Sequence, residues 1–143
     1  MASELVGVWH LVTVKDRHED GTALYPYGEK ALGHLIYHPE GYMSATVMAA
    51  ERPRIATTAR PFALSAEDAV AVLQTMGSAY SGTYEFRDEN TVIHHVKAAL
   101  IPNMIGQDEI RPFELKGDML YVYTHRPPVT TCAIWRRATP VTN

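Results

Sequence analysis

Turn-forming residues recur at short, even intervals through most of this chain, and this spacing constrains its fold more than any other feature. Glycine, proline, asparagine and aspartate cluster at 20–21, 39–41, 88–90, 102–106, 116–118 and 126–128. Eight runs rich in β-branched and aromatic residues lie between the clusters, at 5–15, 31–38, 42–48, 80–87, 91–101, 107–116, 119–125 and 130–137. Short links between such runs predict antiparallel neighbours. Eight antiparallel strands with few protected edges predict an all-β fold that closes into a barrel.

One segment has the period of a helix instead. Ser65 precedes two acidic residues, Glu67 and Asp68, as at a capped helix start. Apolar residues then recur at 66, 69, 70, 73 and 76, and Gly77 suits the end of a helix. We therefore predict one short amphipathic helix that covers one end of the barrel, either as a lid or for packing alone. The preceding residues 50–64, with prolines at 53 and 61, predict a long loop.

Length and composition narrow the possible classes of protein. The 143 residues predict a single domain over 1–143, and 46% hydrophobic with 20% charged residues is incompatible with disorder throughout. The net charge is −3 without any block of like charge, so nucleic acid is not an expected partner. A single cysteine, Cys132, excludes an internal disulfide and a thiolate metal cluster. Neither a membrane-spanning run nor a signal peptide is recognisable, which predicts a cytoplasmic protein that does not enter a membrane.

The familiar cofactor and metal motifs are missing from the sequence. It contains neither a phosphate-binding glycine loop nor a nucleophile elbow. His34 and His38 are four residues apart, which in a strand separates them by about 13 Å, too far to share an ion. The adjacent His94 and His95 should point to opposite faces of their strand. The sequence therefore predicts no metal and no cofactor.

Two polar residues are predicted to face the barrel interior. In 91–101 the even positions are the more apolar, which places His94 inside, either as a hydrogen-bonded core residue or as a titratable group in a cavity. In 107–116 the apolar positions 113 and 115 place Arg111 inside as well. A buried guanidinium needs a carboxylate such as Glu109 or Glu85, or an anionic ligand. A bulge at Pro112 would reverse the register and place Arg111 outside.

Aromatic residues complete the predicted lining. Tyr84 shares one face of run 80–87 with Tyr80 and Phe86, which places it inside. We predict a catalytic set of His94 as general acid or base, Arg111 as oxyanion stabiliser and Tyr84 as a group that orients the substrate or donates a proton. The candidate substrate-binding residues are Trp9, Tyr37, Ser44, Tyr80, Phe113 and Tyr123.

Several segments resemble the lipocalin-like domain family of small bacterial and fungal proteins. The most specific are Gly-Tyr-Met-Ser-Ala at 41–45 and His-His-Val at 94–96. Similar stretches lie at 5–9, 33–40, 80–85, 102–103, 111–118 and 135–136, so the resemblance extends over nearly the whole chain. It implies a closed antiparallel barrel with a central cavity. It also implies an accessory protein of secondary metabolism with a hydrophobic, polyketide- or terpenoid-like ligand.

Two main hypotheses of function follow. The first is a cofactor-free biosynthetic enzyme of the cyclase, isomerase or dehydratase (lyase) type that acts on an apolar molecule in the cavity. The second is an intracellular carrier in which the same residues only orient a small hydrophobic ligand. A third hypothesis, an interaction module, predicts an interior filled by side chains. A homodimer is compatible with the sequence, which does not determine the oligomeric state.

Overall fold

The computed structural model describes residues 2–55 and 63–142, and its secondary structure is almost entirely β. The strands are β1 (Gly7–His18), β2 (Ala23–Leu24), β3 (Ala31–Tyr37), β4 (Tyr42–Ala49), β5 (Met76–Asp88), β6 (Thr91–Ala99), β7 (Asp108–Lys116), β8 (Met119–Arg126) and β9 (Val129–Arg137). One α-helix, α1 (Ala66–Gln74), lies between β4 and β5, and short 3₁₀ turns occupy Ala2–Leu5 and Pro102–Met104.

Eight of these strands close into an antiparallel barrel. From β3 to β9 each strand pairs with the next, β1 pairs with β3, and β1 also pairs with β9 to complete the circle. The two-residue β2 pairs only with β1, at Asp16 and Arg17, where β3 no longer reaches. The predicted eight-stranded closed barrel with one helix is confirmed, and closure leaves no long sheet edge exposed.

The helix begins where the sequence predicts and ends earlier. The Ser65 side chain accepts a hydrogen bond of 3.1 Å from the backbone N–H of Asp68. The prediction that Gly77 ends the helix is wrong, because the cap is Thr75 and Gly77 already belongs to β5. The absence of a side chain at Gly77 serves packing: a Cβ there would lie 2.6 Å from the Tyr27 ring. Residues 56–62 of the predicted long loop, with its second proline, lie outside the described residues.

The two ends of the barrel differ. At the end we call the closed end, the fully buried Trp9 donates its indole N–H to the carbonyl of Leu5 at 3.0 Å. The guanidinium of Arg137 stacks on the Trp9 ring, 4.1 Å from the ring centre. The other end, the open end, carries the connections 19–30, 100–107 and 127–128 and the described residues 50–55 and 63–75. Within the described ranges, no helix is long and apolar enough to cross a membrane.

Candidate functional site

A cavity of about 550 Å³ occupies the open half of the barrel. Its volume lies within the 300–1,000 Å³ range of small-molecule sites. The wall is largely apolar, formed by residues including Val14, Leu35, Ala45, Val47, Val122 and Trp135. The charged or titratable groups that line it are Asp16, Tyr27, Tyr80, His94, Arg111 and Arg126. No residue of α1 lines the cavity.

His94 lies at the inner end of this cavity, between two tyrosines. Its exposed fraction is 2%, as expected from its apolar neighbours on β6. Its Nε2 lies 2.7 Å from the hydroxyl of Tyr37, and its Nδ1 lies 2.7 Å from the hydroxyl of Tyr80. Burial, reinforced by the positive charge of Arg111, lowers the pKa of His94 to about 3. The imidazole is therefore neutral at physiological pH.

The neighbouring His95 faces the other way, as the strand alternation predicts. Its Nδ1 lies 2.6 Å from a carboxylate oxygen of Asp108, and its Nε2 lies 3.3 Å from Glu85. These carboxylates, with Asp108 first, raise the pKa of His95. Two adjacent histidines thus have opposite pKa shifts because one faces the core and the other faces acidic groups on the outer surface.

The hydrogen bonds fix which nitrogen of His94 carries the proton. Tyr37 is 1% exposed, and within the described part of the chain its hydroxyl has one partner, His94 Nε2. A buried hydroxyl must place its proton on an acceptor, so Tyr37 donates to Nε2. The proton of the neutral ring is then on Nδ1, which donates to the oxygen of Tyr80. The hydroxyl proton of Tyr80 must point away from His94.

Tyr80 is consequently the polar group that His94 presents to the cavity. The positive charge of the Arg111 guanidinium also acts on the Tyr80 hydroxyl, whose pKa it lowers. Burial raises the pKa of Tyr80 to about 12, against the opposing effect of Arg111. The oxygen of Tyr80 receives a hydrogen bond from Nδ1–H of His94, and this bond and the positive charge of Arg111 both stabilise a phenolate. Its own proton remains available to a molecule in the cavity.

Arg111 lies inside the barrel in a chain of charges. The pairing of β7 with β6 continues in register through Pro112, so a bulge that would turn Arg111 outward does not form. One guanidinium nitrogen of Arg111 lies 2.8 Å from a carboxylate oxygen of Glu109, and the two side chains are 12% and 14% exposed. Arg126, 72% exposed at the open end, lies 3.7 Å from the same carboxylate oxygen. Glu85, the alternative partner, is on the outer face.

Four predicted site residues are inside the barrel but do not line the cavity. Tyr37 lies behind His94, Phe113 packs edge-on against Phe86 at 6.3 Å, and Trp9 is at the closed end. The expected place of Tyr84 in the cavity is wrong: its hydroxyl donates to the carbonyl of His38 in the β3–β4 turn, at 2.8 Å. Tyr84 and Tyr80 share a face of β5, but four residues separate them by about 13 Å along the strand.

The expected cavity positions of Ser44 and Tyr123 are also wrong, because both side chains lie on the outer face. Ser44 stands between the inward Met43 and Ala45 and borders a shallow external groove. Tyr123 follows the inward Val122, and its hydroxyl donates to Glu114 at 3.1 Å.

The cavity also contains polar residues that the sequence did not single out. Asp16 accepts a hydrogen bond of 2.6 Å from the hydroxyl of Thr131, and burial together with the charge of Asp16 raises the pKa of Tyr27 at the open end. Simple alternation from Trp9 places Asp16 outside, but a register shift between Leu11 and Thr13 turns it inward. Arg126 continues the inward alternation of β8 from Val122 and could have been found that way.

Metal-binding side chains are dispersed over the fold. Among the described residues, no group of three or more His, Cys, Asp or Glu side chains is arranged to hold a metal ion. The cysteine Cys132 is half-buried, and burial raises the pKa of its thiol.

Comparison with known proteins identifies a family. A family model described as a lipocalin-like domain matches residues 6–138. No curated protein matches the sequence. A solved structure titled as a redesigned β-barrel matches with 13% identity, a TM-score of 0.46, and coverage of 96% of this chain and 95% of that one.

Proposed function

The chain belongs to the lipocalin-like domain family, and we propose that it is a cofactor-independent enzyme that transfers protons within a small, largely apolar molecule. A lipocalin-like barrel suggests small-molecule binding, and the cavity of about 550 Å³ has the volume for it. The reaction class is isomerisation, cyclisation or dehydration, each of which needs only proton transfer and stabilisation of a negative oxygen.

One observation carries this proposal: the hydroxyl of Tyr80 is at the cavity wall, where His94 holds it and the charge of Arg111 acts on it. His94 Nδ1 lies 2.7 Å from the Tyr80 oxygen, and the positive charge of Arg111 lowers the pKa of the hydroxyl. The His94 hydrogen bond and the Arg111 charge stabilise the phenolate that forms when Tyr80 gives its proton to a substrate. A tyrosine that served only for packing would not need a cation beside its hydroxyl.

The proton transfers balance without any added reagent. Tyr80 protonates a carbonyl or leaving hydroxyl oxygen of the substrate, and its O–H bond breaks. The phenolate then removes a proton from a carbon next to the reacting group, which restores the Tyr80 hydroxyl. In an isomerisation the double bond moves, and in a dehydration water leaves. Arg111 stabilises negative charge on both the phenolate and the substrate oxygen.

The proposal changes the role that the sequence predicts for His94. Both ring nitrogens are engaged by tyrosines, and a pKa of about 3 makes the imidazole a poor proton acceptor. We therefore assign His94 as a positioning residue that fixes the Tyr80 hydroxyl, with Tyr37 fixing the ring from behind. Tyr84 has no part in the reaction.

A carrier function is the second candidate, and a specific observation favours it. The charge of Arg111 is already balanced by Glu109 at 2.8 Å, so the presence of Arg111 inside the barrel does not require a reacting group. In a carrier, Tyr80 and Arg111 would donate hydrogen bonds to an oxygen of the ligand and do nothing further.

Incubation of the purified protein with a metabolite extract from its own source separates the two candidates. Native mass spectrometry follows the protein, and metabolite profiling follows the extract. The enzyme proposal predicts that one metabolite decreases as an isomer or a product lighter by one water appears. A bound mass that is released chemically unchanged, with an unaltered extract, would overturn the enzyme proposal in favour of the carrier.

A further inference from the structure

The charges beside Tyr80 are unequal in number. Arg111 and Arg126 both approach the same carboxylate oxygen of Glu109, at 2.8 and 3.7 Å. Both guanidinium groups also act on Tyr80, since each lowers its pKa. Two positive charges therefore face one negative charge where the cavity wall is formed by β7 and β8.

The other carboxylate of the cavity does not remove this excess. Asp16 accepts a hydrogen bond from Thr131, on the β1–β9 side of the barrel. Within the described residues, no ion pair joins Asp16 to Arg111 or Arg126. The cavity thus has a positive wall near Tyr80 and a separate negative group nearer Tyr27. Arg126 lies 3.7 Å from a carboxylate that already pairs more closely with Arg111, so its guanidinium can bind an anionic partner at the mouth of the cavity.

We propose that the molecule bound in this cavity is a monoanion, with an acidic oxygen between Arg126, Arg111 and Tyr80 and an apolar body along the remaining wall. This inference rests on the proposed function, because it names the class of molecule that the same site takes. A carboxylate, an enolate or an ionised phenol satisfies the chemistry. At the packing density of a protein interior, the cavity accommodates about 20 non-hydrogen atoms.

Arg126 is the residue that confers this selectivity. Glu109 holds Arg111 closely, whereas Arg126 is farther from the carboxylate and 72% exposed, so it can turn to an incoming anion without losing a tight ion pair. Its removal should leave the fold intact. Arg136 is the matched control, because it is an exposed arginine on the outer face beside the inward Trp135.

Two fluorescent probes with the same apolar body test the inference. They are 8-anilinonaphthalene-1-sulfonate, an anion, and N-phenyl-1-naphthylamine, which is neutral and lacks the sulfonate. We expect the wild-type protein to bind the anion more tightly. Arg126→Gln should weaken binding of the anion about fivefold and change binding of the neutral probe less than about twofold. Arg136→Gln should leave both dissociation constants unchanged.

A cavity-filling variant shows where the probes bind. Ala133 lines the cavity, so Ala133→Phe should weaken binding of both probes. If the anion binds and Ala133→Phe does not affect it, the anion lies outside the cavity and the inference is wrong. Equal affinity for the two probes, or an equal loss of both in Arg126→Gln, would also overturn it while leaving small-molecule binding intact. Failure of both probes to bind would instead count against the proposed function.

Discussion

The adjacent histidines His94 and His95 should affect the pH dependence of stability in opposite directions. Burial lowers the pKa of His94 to about 3, whereas an unfolded chain binds the same proton with a pKa of about 6.5. Between these values the unfolded state takes up a proton that the folded state excludes. Proton uptake by His94 in the unfolded chain therefore lowers the unfolding free energy as the pH falls below about 6.5. This loss of stability stops growing near pH 3.

The magnitude follows from the two pKa values. Each pH unit between them corresponds to about 1.4 kcal/mol. From pH 7 to pH 5 the wild-type protein should lose about 2 kcal/mol of unfolding free energy through His94 alone. This is a large share of the 5–15 kcal/mol typical of a folded domain.

Urea denaturation of wild type and His94→Gln at pH 7 and pH 5 measures this loss. The glutamine amide can donate and accept hydrogen bonds between Tyr37 and Tyr80 but does not titrate. The stability of wild type relative to His94→Gln should fall by about 2 kcal/mol from pH 7 to pH 5.

The control is His95→Gln, for which the change in unfolding free energy with pH should have the opposite sign. Because Asp108 and Glu85 raise the pKa of His95, the folded state binds its proton more tightly, and wild type should gain stability relative to this variant on acidification. If wild type and His94→Gln have the same pH dependence, His94 titrates normally and the account of its burial is wrong.

Three further substitutions test the architecture. Glu109→Gln should lower the free energy of unfolding by about 3 kcal/mol in urea denaturation, because it leaves the 12% exposed Arg111 without its carboxylate. Gly82→Ala should abolish soluble expression, since a Cβ there would lie 1.9 Å from the carbonyl oxygen of His95; a stable, soluble variant would contradict the close approach of β5 and β6 at this position. Trp9→Phe should cost about 2 kcal/mol through the lost hydrogen bond to Leu5 and yet leave probe affinities unchanged, because Trp9 is outside the cavity.

The fold could be predicted from the sequence because its signals are local. Turn residues separate the strands, and Ser65 with Asp68 marks the helix start. The sequence predicts the ends of the elements less accurately than their existence. β5 begins at Met76 instead of the predicted residue 80, because Gly77 packs under the Tyr27 ring and does not end α1. That contact joins residues far apart in the sequence, so no local pattern contains it.

The candidate site could be predicted only in part. Strand alternation places His94 and Arg111 inside, where both line the cavity, because apolar residues at 92 and 96 of β6 and at 113 and 115 of β7 lie on the same faces. Alternation gives the face of a residue but not its depth, so it assigns Tyr84 to a cavity that this side chain does not reach. It also misses Asp16, because the register shift between Leu11 and Thr13 reverses the alternation within β1.

The partners of the site residues depend on packing between distant strands. Tyr37 and His94 are 57 residues apart in the chain, and their hydrogen bond exists only because the barrel closes. The sequence marks both residues as candidates. No local pattern shows that Tyr37 occupies one nitrogen of His94, which leaves the proton of the Tyr80 hydroxyl directed away from the imidazole.

Turnover by Tyr80→Phe, beside wild type and Tyr84→Phe, tests the central claim most directly. Each protein is incubated with the same metabolite extract, and product formation and the bound mass are followed by mass spectrometry. The account predicts that Tyr80→Phe still binds the metabolite but forms product at least about 100-fold more slowly, the contribution of a positioned proton donor. Tyr84→Phe, which removes a hydroxyl from the closed end, should turn over like wild type. Unchanged turnover by Tyr80→Phe would contradict the assignment of Tyr80 as the proton donor.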